Sequence, residues 1–175
     1  SNAIFQAPGK YPIFIRELCS GCGLCWHICP ENAIEVEKVV IGKTYVNKIN
    51  SDFTLVTGRS VGVVDETGPI VTSVREYVEK NLDADIILID TSVGLHCGVI
   101  RALINTDLVY AVTEPTPLGK HDLQLILELI NKLDLKKKVV VNQADLGDPT
   151  LIDPLIKKYQ TEISYKIPYS KKLVG

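Results

Sequence analysis

Four cysteines within eleven residues, Cys19, Cys22, Cys25 and Cys29, constrain this chain more than any other feature. A fifth, Cys97, stands far away, and an odd count with four thiols so close together is not the pattern of a secreted disulfide framework. Thiolates this dense predict a metal site. Gly21 and Gly23 fall between the first three, where a backbone without β-carbons can approach a bound group and offer it amide donors.

The stretch from Cys19 to Pro30 is similar at every fixed position to the C-x2-C-x2-C-x3-C-P run of bacterial ferredoxins, which implies a 4Fe-4S cluster. Zinc is the competing reading, although zinc sites usually hold two Cys-x-x-Cys pairs well apart in sequence. Trp26 and Ile28 read as packing residues and His27 as a spacer. In two-cluster ferredoxins the fourth cysteine of such a run serves the other cluster. A second run is therefore expected before Ile4, with Cys19, Cys22 and Cys25 on one cluster and Cys29 on its neighbour.

The chain opens Ser1-Asn2-Ala3, which reads as the scar of a cleaved tag, and its 175 residues include no methionine. The expectation is an excised fragment: residues 1–3 scar, residues 4–50 a ferredoxin-like insert, residues 51–175 an α/β part. With 46% hydrophobic residues the chain can bury a core without disulfides. A formal charge of -2 gives no basic footprint for nucleic acid, and Lys136-Lys137-Lys138 reads as a solvated helix end. No apolar run reaches the roughly 20 residues of a bilayer span. The cytoplasm is the default location.

Around the cysteines, Pro12–Ile15, Ile34–Lys38 and Thr44–Ile49 read as short extended pieces. From Phe53 the pattern alternates: strand 53–56, helix 69–82, a strand buried on both faces at Asp85–Asp90, helix 98–104, strand 108–113. A helix at 118–133 follows, with Leu118, Leu125, Ile126, Leu129, Ile130 and Leu133 at helical spacing, then strand 139–141, helix 149–159 and strand 163–167. Such alternation predicts a parallel, helix-covered sheet.

Gly42-Lys43-Thr44 looks like the end of a phosphate-binding loop, but Lys38-Val39-Val40-Ile41 before it is strand sequence, not a glycine-rich turn. Asp90 ends the predicted buried strand, where a carboxylate can hold the water shell of Mg²⁺ or simply cap a turn. Asn142-Gln143-Ala144-Asp145 ends another strand and is a weaker candidate for reading a purine base. Cys97 reads as a small buried hydrophobe, and His96 and His121 have no evident partner.

Together the cysteine run, Ile41-Gly42-Lys43-Thr44-Tyr45, Thr57-Gly58, Ile87 to Asp90, Val112 to Leu123, Val140 to Asp145 and Ile167-Pro168-Tyr169 resemble the MinD-type P-loop ATPases with an inserted ferredoxin domain, also filed as cobyrinic acid a,c-diamide synthase-like nucleotide-binding proteins. The resemblance implies a three-layer α/β/α P-loop sheet, two 4Fe-4S clusters, ATP and Mg²⁺, and a homodimer. It implies Asp90 as the Walker B carboxylate, Gly94 in the γ-phosphate-sensing loop, Asn142 recognising adenine and Pro168 beside the base. The family's phosphate-binding loop and its second-strand aspartate have no counterpart here, and Thr91-Ser92-Val93 replaces the usual small and proline residues before Gly94. The chain by itself is therefore expected neither to bind ATP well nor to hydrolyse it. The parent is expected to couple ATP hydrolysis to electron transfer to a redox partner. The alternatives are a non-catalytic electron carrier and an ATPase that delivers iron–sulfur clusters to an acceptor.

Overall fold

The computed structural model describes residues 3–62 and 67–173, so Ser1 and Asn2 of the expected tag scar lie outside the described residues. The chain divides into two compact units, one ending at Ile87 and the other beginning at Leu88.

In the first unit, β1 (Ile4–Phe5) and β2 (Ile13–Phe14) form a short antiparallel pair, extended by the Ile15 N–H donating to the Ala3 carbonyl at 2.8 Å. A 3-10 turn, Arg16–Leu18, and one turn of helix, α1 (Leu24–His27), bracket the first cysteines. Ile34–Lys38, expected to be extended, joins no ladder.

β3 (Gly42–Lys48) and β4 (Thr54–Ser60) then pair antiparallel over their full length, closed by a turn in which Asn50 Oδ1 accepts from the Asp52 N–H at 2.9 Å. The expected division after residue 50 falls inside this hairpin, whose ladder ties the two sides together. The expectation that β4 opens a parallel sheet is likewise corrected, since its partner is the strand just before it. α2 (Gly68–Asn81), with Pro69 in its first turn, lies on one face of the hairpin. A β-carbon at Gly58 would meet Ile70 at 2.7 Å and Val74 at 2.8 Å, so that glycine is what lets the helix settle so close.

From residue 82 to 96 there is neither helix nor strand. The buried strand expected at Asp85–Asp90 does not form: Ile86 and Leu88 are 80% and 89% exposed, because among the described residues no neighbouring strand pairs with this run. An apolar run becomes a buried strand only when ladders flank it and layers cover it.

The second unit holds the core. α3 (Cys97–Leu103) leads to β5 (Val109–Thr113), α4 (Pro117–Lys132), β6 (Lys137–Val141), a 3-10 turn at Pro149–Leu151, α5 (Asp153–Lys158) and β7 (Ile163–Lys166). The three strands are parallel in the order β5-β6-β7, as the strand–helix alternation predicts. Val109, Ala111, Val139 and Val141 meet Val99 and Leu103 of α3, Leu123, Leu127 and Ile130 of α4, and Ile152, Leu155 and Tyr159 around α5. The buried stripe of α4 is thus 123, 127 and 130; Leu118, expected on it, is 70% exposed, and Ile126, Leu129 and Leu133 pack at the margin.

The opposite face of the sheet presents Tyr110, Val112 and Tyr165 to solvent. A register shift between Val139 and Val140 skips Ser164, whose hydroxyl is buried with no hydrogen-bond partner among the described residues.

Candidate metal centre and the strand-end edge

The cysteine segment has almost no regular structure, and its form follows from glycines and local amide bonds. Cys19 closes the 3-10 turn, its N–H donating to the Arg16 carbonyl at 3.0 Å. Gly21 (φ +69°) and Gly23 (φ +73°) adopt left-handed conformations that side chains rarely tolerate, and Gly23 is the N-cap of α1, on which Cys25 lies. The Trp26 and His27 rings lean together at 4.6 Å, and Trp26 is 48% exposed, so it does not form a buried cover.

Two sulfurs are already addressed by the backbone. The Ala33 N–H donates to Cys29 Sγ at 3.4 Å. The Leu24 N–H, and after it the Ser20 hydroxyl, hold the Cys22 thiol below its ordinary value by favouring the thiolate. Cys19, Cys22 and Cys25 are exposed and Cys29 is half-buried. The donor set is therefore all sulfur, reachable, and supplied with amide donors, which fits an iron–sulfur cluster and the softness of its iron. Among the described residues no three His, Cys, Asp or Glu side chains are grouped closely enough to hold one metal ion.

In the second unit the predicted residues fall in two places. Asn142 directly follows β6 and Pro168 follows β7, both at the C-terminal edge of the parallel sheet. Hydrogen bonds join these loops: the Asn142 N–H donates to the Thr113 carbonyl at 2.7 Å, the Ala144 N–H to the Ile167 carbonyl at 3.0 Å, and the Tyr169 N–H to the Asp145 side-chain Oδ1 at 2.7 Å. Asp90 and Gly94 lie instead in the irregular run before α3, where Asp90 is exposed and makes no ion pair among the described residues. Asp90 therefore does not end a strand.

Gly42-Lys43-Thr44 lies inside β3 and forms no phosphate-binding loop, in keeping with the strand sequence before it. Two smaller readings change. Cys97 is exposed at the start of α3. His96 does have a partner, its Nε2 standing 2.8 Å from the Ser92 hydroxyl across Gly94 (φ +107°). What the sequence reading missed is the locking of the strand-end loops by glycines; the signal was present as Gly119 and Gly147, each in a loop that follows a predicted strand or opens a helix.

Residues 12–35 match the family model of the 4Fe-4S binding domain. This segment is a 4Fe-4S binding domain. It implies a 4Fe-4S cluster. The chain is 37% identical over 167 residues to an uncharacterized protein, MJ0579, of Methanocaldococcus jannaschii, covering 95% of this chain and 56% of that relative. It is also 30% identical over 94 residues to an uncharacterized ATP-binding protein, MJ0685, of the same organism, covering 52% of this chain and 37% of the relative. The chain thus spans about half the length, or less, of these curated relatives. No solved structure matches it. Among the described residues no helix is long and apolar enough to cross a membrane.

Proposed function

We propose that this chain is the iron–sulfur and C-terminal portion of a cytoplasmic, dimeric, MinD-type P-loop ATPase that couples ATP binding and hydrolysis to electron transfer. The observation that carries this reading is the joining, in one chain, of a 4Fe-4S domain to a parallel sheet whose neighbouring strands β6 and β7 lead into Asn142 and Pro168. Ligands of open parallel sheets bind outside the carboxyl ends of the strands, and that is the edge these two residues occupy. The similarity to an ATP-binding relative adds to it.

In this reading Asn142 and Pro168 contact the adenine. Asp90 and Gly94 serve Mg²⁺ and the terminal phosphate once Ile86–Asp90 is drawn into the sheet as a strand. Two features support that rearrangement: the strongly exposed apolar side chains of 86–88, and a β5 edge that no strand covers among the described residues. The phosphate-binding loop and a second cysteine run belong to the portion of the protein outside this chain. Cys19, Cys22 and Cys25 would hold one cluster and Cys29 would complete another. When bound, each cluster supplies a one-electron carrier. The residues of this chain contribute thiolate ligands, and the Leu24 and Ala33 amides stabilise negative charge on sulfur.

The deciding test compares this chain with a version extended at its N-terminus, by anaerobic iron, sulfide and zinc analysis alongside ATP hydrolysis. The reading predicts about eight irons and ATPase activity in the extended protein, with few irons and no activity in this chain. One stoichiometric zinc and no sulfide in both would overturn the cluster assignment. Full clusters without nucleotide binding would leave the non-catalytic electron carrier. Transfer of intact clusters to an apo-acceptor would establish the assembly role instead.

A further inference from the structure

The hairpin of β3 and β4 has two faces. The one carrying Gly42 and Gly58 lies against α2; the other carries Lys43, Tyr45 and Asn47 from β3 and Leu55, Thr57 and Arg59 from β4, and all six are exposed. On this outer face Lys43 and Arg59 are directly opposed in the ladder. Residues so placed have β-carbons about 5 Å apart, and like charges there repel. Neither makes a salt bridge among the described residues. Two cations without an ion-pair partner among the described residues thus share one rung of a chain whose formal charge is -2.

Protection of exposed strand edges accounts for charges on such a ribbon but not for this pairing. A Lys–Glu rung would blunt the edge equally well and would attract instead of repel. The repulsion is relieved when a negative group sits over both cations. On the next rung of this face stands Tyr45, with Leu55 its diagonal neighbour one rung further on; they are 43% and 45% exposed and give an aromatic and aliphatic spot that leads away from the charged rung. Tyr and Arg around such a spot are the composition of an interface centre.

We propose that this outer face docks an acidic protein surface, with partner carboxylates over Lys43 and Arg59 and apolar contact on Tyr45 and Leu55. All six side chains of this two-stranded face are exposed, which gives a small anion little enclosure. A macromolecular surface that adds many modest contacts suits it better. The face uses neither the cysteines nor the strand-end residues, and the proposal stands whether or not the chain is part of an ATPase.

The test uses the whole chain with a decaglutamate peptide as carboxylate probe, coupled by a zero-length carbodiimide, with yield at each lysine read by mass spectrometry. Lys43 is expected to couple most. Arg59→Gln lowers the Lys43 yield by roughly threefold, the scale of one exposed charge contact, Arg59→Lys restores it, and about 1 M salt abolishes it by screening. Both substitutions are on an exposed face, and circular dichroism confirms that they fold. Yields spread evenly over the exposed lysines, or a Lys43 yield indifferent to Arg59→Gln, would overturn the proposal. So would displacement of the peptide by tripolyphosphate at matched ionic strength, which would assign the pair to a phosphate.

Discussion

A β-carbon placed on Gly147 would stand 2.1 Å from the carbonyl oxygen of Pro115, so the loop after β6 rests on the loop after β5 with backbone against backbone. Neither partner is a flexible side-chain end that could swing away. Gly147→Ala is therefore expected to destabilise the second unit by about 1–3 kcal/mol, the usual cost of overpacking, and to move the strand-end edge that carries Asn142. Urea unfolding measures the first effect. Amide chemical shifts at 142–146 measure the second, and an unshifted edge would show that the contact is relieved elsewhere.

Ser164 gives the opposite sign. Its hydroxyl is buried at the β6–β7 register shift without a partner, so it bears a desolvation cost with no bond in return. Ser164→Ala is expected to raise stability by about 1 kcal/mol. A fall in the urea midpoint would mean that the hydroxyl is satisfied in solution, by water or by a shift of β7.

Leu127 and Leu118 lie on the same helix and separate the core-facing side of α4 from its exposed side. Leu127 is fully buried, and Leu127→Ala should cost about 2–5 kcal/mol. Leu118→Ala should change stability by no more than about 0.5 kcal/mol. Comparable losses at the two positions would show that Leu118 is covered in solution.

Asp148 supplies a pH dependence. Its Oδ1 accepts from the Thr150 hydroxyl at 2.6 Å and the Thr150 N–H at 2.9 Å, and these bonds hold the carboxyl below its ordinary value. A carboxylate whose pKa is lowered by folding contributes stability that is present above its unfolded pKa and lost as pH falls through its folded pKa. Asp148→Asn should therefore lower the melting temperature slightly at neutral pH, and the difference from the parent should vanish in acid. A difference that persists at the acid end would point to the amide's shape and not the lost charge.

The cysteines divide cleanly. Cys22→Ser should remove iron from the reconstituted protein and weaken its sulfur-to-iron charge-transfer absorption, whereas Cys97→Ser should leave both unchanged. Iron loss in the Cys97 variant would bring that residue into the site.

Much of this molecule was legible in its sequence, and the exceptions share one physical origin. The 4Fe-4S domain at residues 12–35 could be read because its cysteine spacing is a local pattern. The parallel β5-β6-β7 unit could be read because its strands alternate with a helix whose apolar residues repeat at helical spacing. The apolar run at 86–90 was misjudged because burial is not a property of a segment but of what surrounds it, and here no strand flanks it among the described residues. The antiparallel pairing of β3 with β4 was missed for a related reason. In sequence the turn at Asn50–Asp52 reads as a boundary, although an Asx turn between two β-rich runs equally well closes a hairpin. The four sulfurs illustrate the remaining limit, since a ligand set can be named from spacing while its closure depends on the group it binds.

The irregular stretch from 82 to 96 also governs how the chain comes apart. A protease needs an extended, accessible backbone, and this is a long run of it between two segments held by ladders and helices. Brief digestion should cut there first and release an α/β fragment beginning near α3 with its entire apolar core, able to refold alone. The cysteine-bearing piece would depart with the hairpin and α2, and its compactness would then become a readout of cluster occupancy.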